Sequence, residues 1–265
     1  MMLTLHTMIG MIAAAGLIGV ASWIGKRWGV GAGGWFVALP LLSGPVMLTY
    51  ALERGAAFTS QACLGALLAT ISLSAFALAY AWTARRASWL PCCILACAAF
   101  LACTWALQHF HAPQIGWTFL LACAVLGASL RVMPLAAASV SGQRSPAWDI
   151  PLRMLLAATL VWVLATLSGL VGPRLSGLIT PFPIASMILA SFTHHSDGAA
   201  SASTFLRGLL TGLFSYSVFV LVVGIAIGSW SIASTFVVAT VATLAFHAGV
   251  WHFVKHPALA PSMAL

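Results

Sequence analysis

The sequence predicts an all-α polytopic membrane protein: nine transmembrane helices forming two inverted four-helix repeats joined by a single helix, with Pro-broken helices 2 and 7. Three observations predict it. Of 265 residues, 62% are hydrophobic and 5% charged, which leaves a soluble surface nothing to offer water. Apolar runs of about 18 or more residues recur along almost the whole chain, the length a bilayer crossing needs. Finally, one unusual segment is present twice.

That segment is Gly34–Gly55, GWFVALPLLSGPVMLTYALERG, which carries Pro40, Ser43 and Pro45 near its middle. It returns as Gly177–Gly198, GLITPFPIASMILASFTHHSDG, with Pro181, Pro183 and Ser186. Gly34, Pro40, Ser43 and Gly55 match Gly177, Pro183, Ser186 and Gly198, and Ala-Ala follows the closing glycine in both copies. A shift of 143 positions aligns residues 6–110 with 149–253 without a gap. Roughly a quarter of the positions are identical, against about a tenth expected from so Ala- and Leu-rich a composition. Further matches are Ser60 with Ser203, Gly65 with Gly208, Ser72 with Ser215, Ser74 with Ser217, Phe76 with Phe219 and His109-Phe110 with His252-Phe253.

The chain reads in order as follows. Helix 1 runs from about Thr7 to Ile24 and stops at Lys26-Arg27. It is read as a retained span, since no basic residue precedes its apolar core. Helix 2 is the first broken segment. Helices 3 and 4 run from about Thr59 to Trp82 and from about Leu90 to Leu107. Helix 5, about 116–130, joins the repeats together with a polar stretch reaching Trp148. Helix 6 runs from about Leu152 to Val171 and is expected to close at Gly172-Pro173-Arg174. Helix 7 is the second broken segment, and helices 8 and 9 cover about 205–226 and 232–253. One membrane domain, residues 1–265, contains repeat one (6–110), the linker and repeat two (149–253).

Charge placement sets the topology. With nine crossings and the N-terminus outside, Lys26, Arg27, Arg85, Arg86, Arg131, Arg144, Arg153, Arg207 and Lys255 fall on the inner side. Arg54 and Arg174 alone fall outside, a strong positive-inside bias. Making segments 2 and 7 re-entrant would erase it. Five crossings separate the starts of the repeats, so the second copy enters from the opposite face. The expected location is a bacterial inner membrane, with the C-terminus in the cytoplasm. The net charge of +8 fits inner loops and anionic lipid headgroups, so membrane lipids are expected partners and nucleic acid is not.

Inverted repeats with discontinuous helices at corresponding positions point to a secondary transporter. Proline removes a backbone donor and frees a carbonyl one turn earlier, so such breaks lie inside protein or line a wet cavity. The candidate substrate-binding residues are therefore Pro40, Ser43, Pro45, Pro181, Pro183 and Ser186, with Ser72 and Ser215 from helices 3 and 8. Candidate coupling or gating groups are Glu53 and Asp197, two of only three acids, and the His194-His195 pair. His247 and His252, five apart, share no helix face and read as interfacial.

The six cysteines lie within predicted helices and read as small packing residues; Cys93 and Cys97 share a face but make a weak case for a metal. No phosphate-binding loop, zinc-protease pattern or Ser/His/Asp set is present, so neither an enzyme nor a cofactor is expected. The expected function is alternating-access transport of a polar or anionic small-molecule solute, with proton-coupled export as the working form. The alternatives are a non-transporting scaffold or complex subunit and a polyprenyl-phosphate flippase.

Overall fold

A computed structural model describes residues 5–107, 114–134, 148–179 and 183–255. Its elements are α1 (Leu5–Trp28), α2 (Val30–Val37), α3 (Ser43–Glu53), α4 (Gly55–Thr83), α5 (Trp89–Leu107), α6 (Ile115–Val132), α7 (Asp149–Ile179), α8 (Ile184–Ala226) and α9 (Ile232–Lys255). No strand occurs among the described residues. Six of these helices are long and apolar enough to cross a membrane: α1, α4, α5, α6, α8 and α9. Large apolar side chains cover the outside, among them Ile12, Leu52, Ile94, Trp117, Leu155, Val237 and Val241, each more than 60% exposed. Such a surface is stable only against lipid. The chain is an α-helical integral membrane protein.

Predicted helix 2 is two helices. α2 ends at Val37, residues 38–42 form a turn, and α3 starts at Ser43. Pro40 lies inside that turn, where its carbonyl accepts the Gly44 amide at 2.8 Å. Pro45 does not contribute to the break. It occupies the first turn of α3, where the missing N–H would have had no intrahelical partner.

Predicted helices 7 and 8 join in α8, whose 43 residues far exceed one crossing. They bend at Gly198, with φ 87° and ψ 171°, a conformation open essentially to glycine alone. Gly55, which opens α4, also has positive φ, 81°. Predicted helix 6 runs longer than expected: α7 continues across Gly172 and Pro173 to Ile179 instead of closing there. A long helix tolerates an internal proline where neighbouring helices or local adjustments satisfy the carbonyl that it frees. We expect Gly198→Ala and Gly55→Ala each to cost about 1–3 kcal/mol, read as a lower unfolding midpoint in detergent.

Element ends recur at the 143-residue spacing. α4 runs from Gly55 to Thr83 and the second half of α8 from Gly198 to Ala226; α5 begins at Trp89 and α9 at Ile232. Matching helices run antiparallel. Along α1 and α7, Gly10 faces Val161, Gly19 faces Met154, and Lys26 meets Asp149. The start of α4 meets the end of α8, where the Ser60 hydroxyl donates to the Gly224 carbonyl at 3.3 Å and Cys63 lies against Gly224. α4 and α8 form the centre, with Phe76, Tyr80, Leu206, Leu209 and Leu210 almost fully buried, and α6 packs on both of them.

Candidate functional site

Both helix breaks open onto one cavity of about 350 Å³. Leu39, Leu42 and Ser43 line it from the first break, and Pro183, Ile184, Ala185 and Ser186 from the second. The rest of the wall comes largely in pairs of positions related by the repeat: Ile18 and Val161, Ala66 and Leu209, Thr70 and Leu213, Leu73 and Tyr216. Among the described residues the lining contains no Asp, Glu, Lys, Arg or His, and its polar side chains are Ser43, Thr70, Ser186 and Tyr216. Ser43 is within hydrogen-bonding reach of Tyr216, while the Thr70 hydroxyl donates back to the Ala66 carbonyl at 3.1 Å.

The first turns of α3 and α8 both face this space. Neither start has a side-chain cap, because Leu42 and Pro183 occupy the N-cap positions. The helix dipole gives each start a partial positive charge, although at α3 the Gly44 amide is taken by the Pro40 carbonyl and Pro45 has none, leaving the Ser43 amide. Two such starts, each with a serine, meet in one apolar chamber. This arrangement suits a small solute with an apolar body and one anionic or strongly accepting group.

A second cavity, about 630 Å³, shares Leu42, Ser43, Ala66, Ala69 and Tyr216 with the first. It continues between α3 and α4 to Tyr50 and Phe58, the end that carries Glu53, and is walled by Gly65, Ser72 and Thr104. The hydroxyls of Ser72 and Thr104 are buried without a hydrogen-bond partner.

The repeat-related space on the other side is filled by α2. Gly65, Ala69, Ser72 and Thr104 correspond to Gly208, Gly212, Ser215 and His247. A Cβ on Gly208 would overlap the Gly31 carbonyl, one on Gly34 would overlap the Phe205 carbonyl, and one on Gly212 would sit 2.6 Å from the Trp35 carbonyl. The Gly-x-x-x-Gly spacing of Gly208 and Gly212 and the glycines of α2 thus let two backbones touch. Trp35 then stacks flat on His247, ring centroids 3.4 Å apart, and His247 Nδ1 pairs with the Ser215 hydroxyl at 2.9 Å. At Gly65 nothing among the described residues lies within 4 Å of the position a Cβ would take.

The predicted site residues therefore divide. Ser43, Pro183 and Ser186 come together at the smaller cavity, with Pro40 in the adjoining turn. Ser72 lines the larger cavity, and Ser215 is sealed under α2. Pro45 is exposed and outside both linings, its carbonyl accepting the Thr49 hydroxyl at 3.1 Å. Pro181 lies outside the described residues. Glu53 ends α3 in an exposed position, beside Arg54, which sits over the Phe58 ring. Asp197 is half-buried just before the Gly198 kink, and its carbonyl accepts the Ser201 hydroxyl. His194 is 3.4 Å from the Tyr80 hydroxyl, and exposed His195 meets Trp89 edge to face. None of these last four lines either of the two cavities described above.

Among the described residues no group of three or more His, Cys, Asp or Glu could hold a metal ion; Cys97 is directed instead at Met187 Sδ, 3.6 Å away. Comparison with protein-family models, curated proteins and solved structures finds no match.

Sequence reasoning missed two clusters. Asp149, to which the sequence reading gave no role, is 4% exposed and binds Arg153 at 3.0 Å and Lys26 at 3.1 Å. Its spacing of four from Arg153 at a helix start was the available signal. His247, read as interfacial, is 4% exposed in the interior. Only the repeat alignment, which sets it opposite Thr104, could have pointed to it.

Proposed function

We propose that the protein is a secondary transporter working by alternating access, with its solute held where the two helix breaks meet. The reading takes α2 with α3 as one crossing and α8 as two, so that nine crossings form two inverted four-helix repeats around α6. The antiparallel course of matching helices supports the inversion. The positive-inside bias supports an outer N-terminus and a cytoplasmic C-terminus, as in a bacterial inner membrane. The observation that carries the function is the cavity itself, bounded by matching positions of both repeats and faced by two uncapped helix starts. Its extension toward Tyr50 and Phe58, with α2 packed into the matching space, is the asymmetry of a carrier caught open to one face. The solute is a small organic molecule, apolar in its body, with a carboxylate or similar acceptor at the helix starts.

Purified protein screened by thermal shift against short-chain carboxylates, amino acids and their neutral isosteres identifies a solute, whose radiolabelled form is then followed into proteoliposomes. The variant Pro40→Ala, Ser43→Ala, Pro183→Ala, Ser186→Ala should fold but lose at least about tenfold in uptake, the effect of removing more than about 1.4 kcal/mol of binding. Undiminished uptake would sink the assignment. Should no solute be found and a second chain co-purify stoichiometrically, the protein is a scaffold.

A further inference from the structure

His247 is buried among groups that serve it better neutral than charged. Trp35 of α2 covers its face, Ser215 of α8 pairs with Nδ1, and Nε2 is buried with no hydrogen-bond partner among the described residues. A neutral imidazole leaves one ring nitrogen unserved. An imidazolium has two N–H donors and a charge, of which the docked arrangement can serve one N–H. No carboxylate is on hand to compensate. α2 contains no titratable residue, and α8 offers on the Ser215 face only Arg207, two turns away, a cation that adds to the penalty. Along α9 itself the titratable positions are His252 and Lys255. α3, which touches α9 near Phe236, bears Tyr50 and Glu53 at the opposite end of the molecule. The stack on Trp35 returns some cation–π attraction, which is small beside the loss of hydration for a buried charge.

Water would serve both N–H groups if α2 moved away. The seam that holds α2 on α8 is backbone against backbone at Gly31, Gly34, Gly208 and Gly212, and beside it Trp35 stacks on His247. We infer that His247 is a proton-binding latch: neutral, it holds α2 docked over Ser215, and protonated, it releases α2 and opens the cavity toward the face bearing Lys26 and Arg27. The inference rests on the carrier reading for its purpose. It differs from the sequence expectation, which placed coupling at His194, His195, Asp197 and Glu53.

The test needs no solute. In a background with all six cysteines replaced by alanine, Gly31→Cys and Thr204→Cys form a pair across the seam, since a Cβ on Gly31 would lie 3.5 Å from the Thr204 methyl. Disulfide formation is followed as the loss of maleimide-polyethylene-glycol additions at about pH 8 and about pH 5.5, either side of the usual histidine value. The same pair in His247→Gln reports the thiols' own pH dependence. With His247 present, the acid rate should fall about fivefold to tenfold beyond that reference, the range that a difference in proton affinity of one unit or more between docked and undocked states produces one unit below the usual histidine value. Equal ratios with His and Gln would overturn the latch. Should the Gln protein not assemble, Trp35→Phe keeps His247 but shrinks its cover, and must lower the disulfide rate at about pH 8; an unchanged rate overturns the latch equally. Because α2 docking is read directly, the latch can fail while the serine and proline variant still confirms transport, and the reverse.

Discussion

Replacing Asp149 by asparagine should destabilise the protein by about 3–5 kcal/mol, the cost of stranding a buried charge. The carboxylate is the sole anion of a cluster with two cations. Lys26 is 39% exposed at its side chain and can turn toward headgroups when its partner goes. Arg153 cannot, for its side chain is 6% exposed and its guanidinium lies 5.2 Å from the centre of the Phe192 ring. The loss therefore falls on Arg153. A second variant separates charge from packing: Asp149→Leu with Arg153→Met removes both ions and should return to within about 2 kcal/mol of the parent. Unfolding midpoints in mixed detergent and denaturant measure both. If asparagine costs under about 1 kcal/mol, the buried-pair account is wrong.

Gly208→Ala and Gly65→Ala should differ sharply although they alter matching positions. At Gly208 the new carbon would overlap the Gly31 carbonyl, so α2 must move off α8; the expected cost is about 2–3 kcal/mol or outright loss of docking. At Gly65 the new carbon points into the larger cavity, and the helical gain of alanine over glycine leaves stability unchanged or raised by about 1 kcal/mol. Proteolysis at the α2 segment and thermal midpoints should both separate the two variants. Similar behaviour in both would mean that the two sides are occupied alike in the membrane.

Much of this architecture was legible in the sequence, because the informative residues act through the backbone. Gly55 and Gly198, read as the ends of the two broken segments, lie at bends that favour glycine, and Pro40 marked the break between α2 and α3. Side-chain facing was not legible. A membrane helix is apolar toward lipid and toward its neighbours alike, so periodicity does not say which side is inside. Hence Pro45 seemed equivalent to Pro40, although it sits harmlessly in a first turn, and His247 seemed interfacial, although it is buried. The Asp149 cluster joins residues from α1 and α7 that no local pattern connects.

The seam between α2 and α8 has a kinetic consequence. Most helix contacts interlock side chains, so separating them requires many rotamers to shift together. Here Gly31 faces Gly208, Gly34 faces the Phe205 and Leu209 backbone, and Gly212 faces Trp35 and Ala38; the four glycines have no rotamers to lose on docking or regain on parting. The resistance to separation then comes from dispersion between the two backbones, from the stack of Trp35 on His247 and from the packing of Val30, Phe36 and Val37 on the core. Such a joint opens and recloses as a rigid element, in the same register each time, while the interlocked core of α4 and α8 stays still.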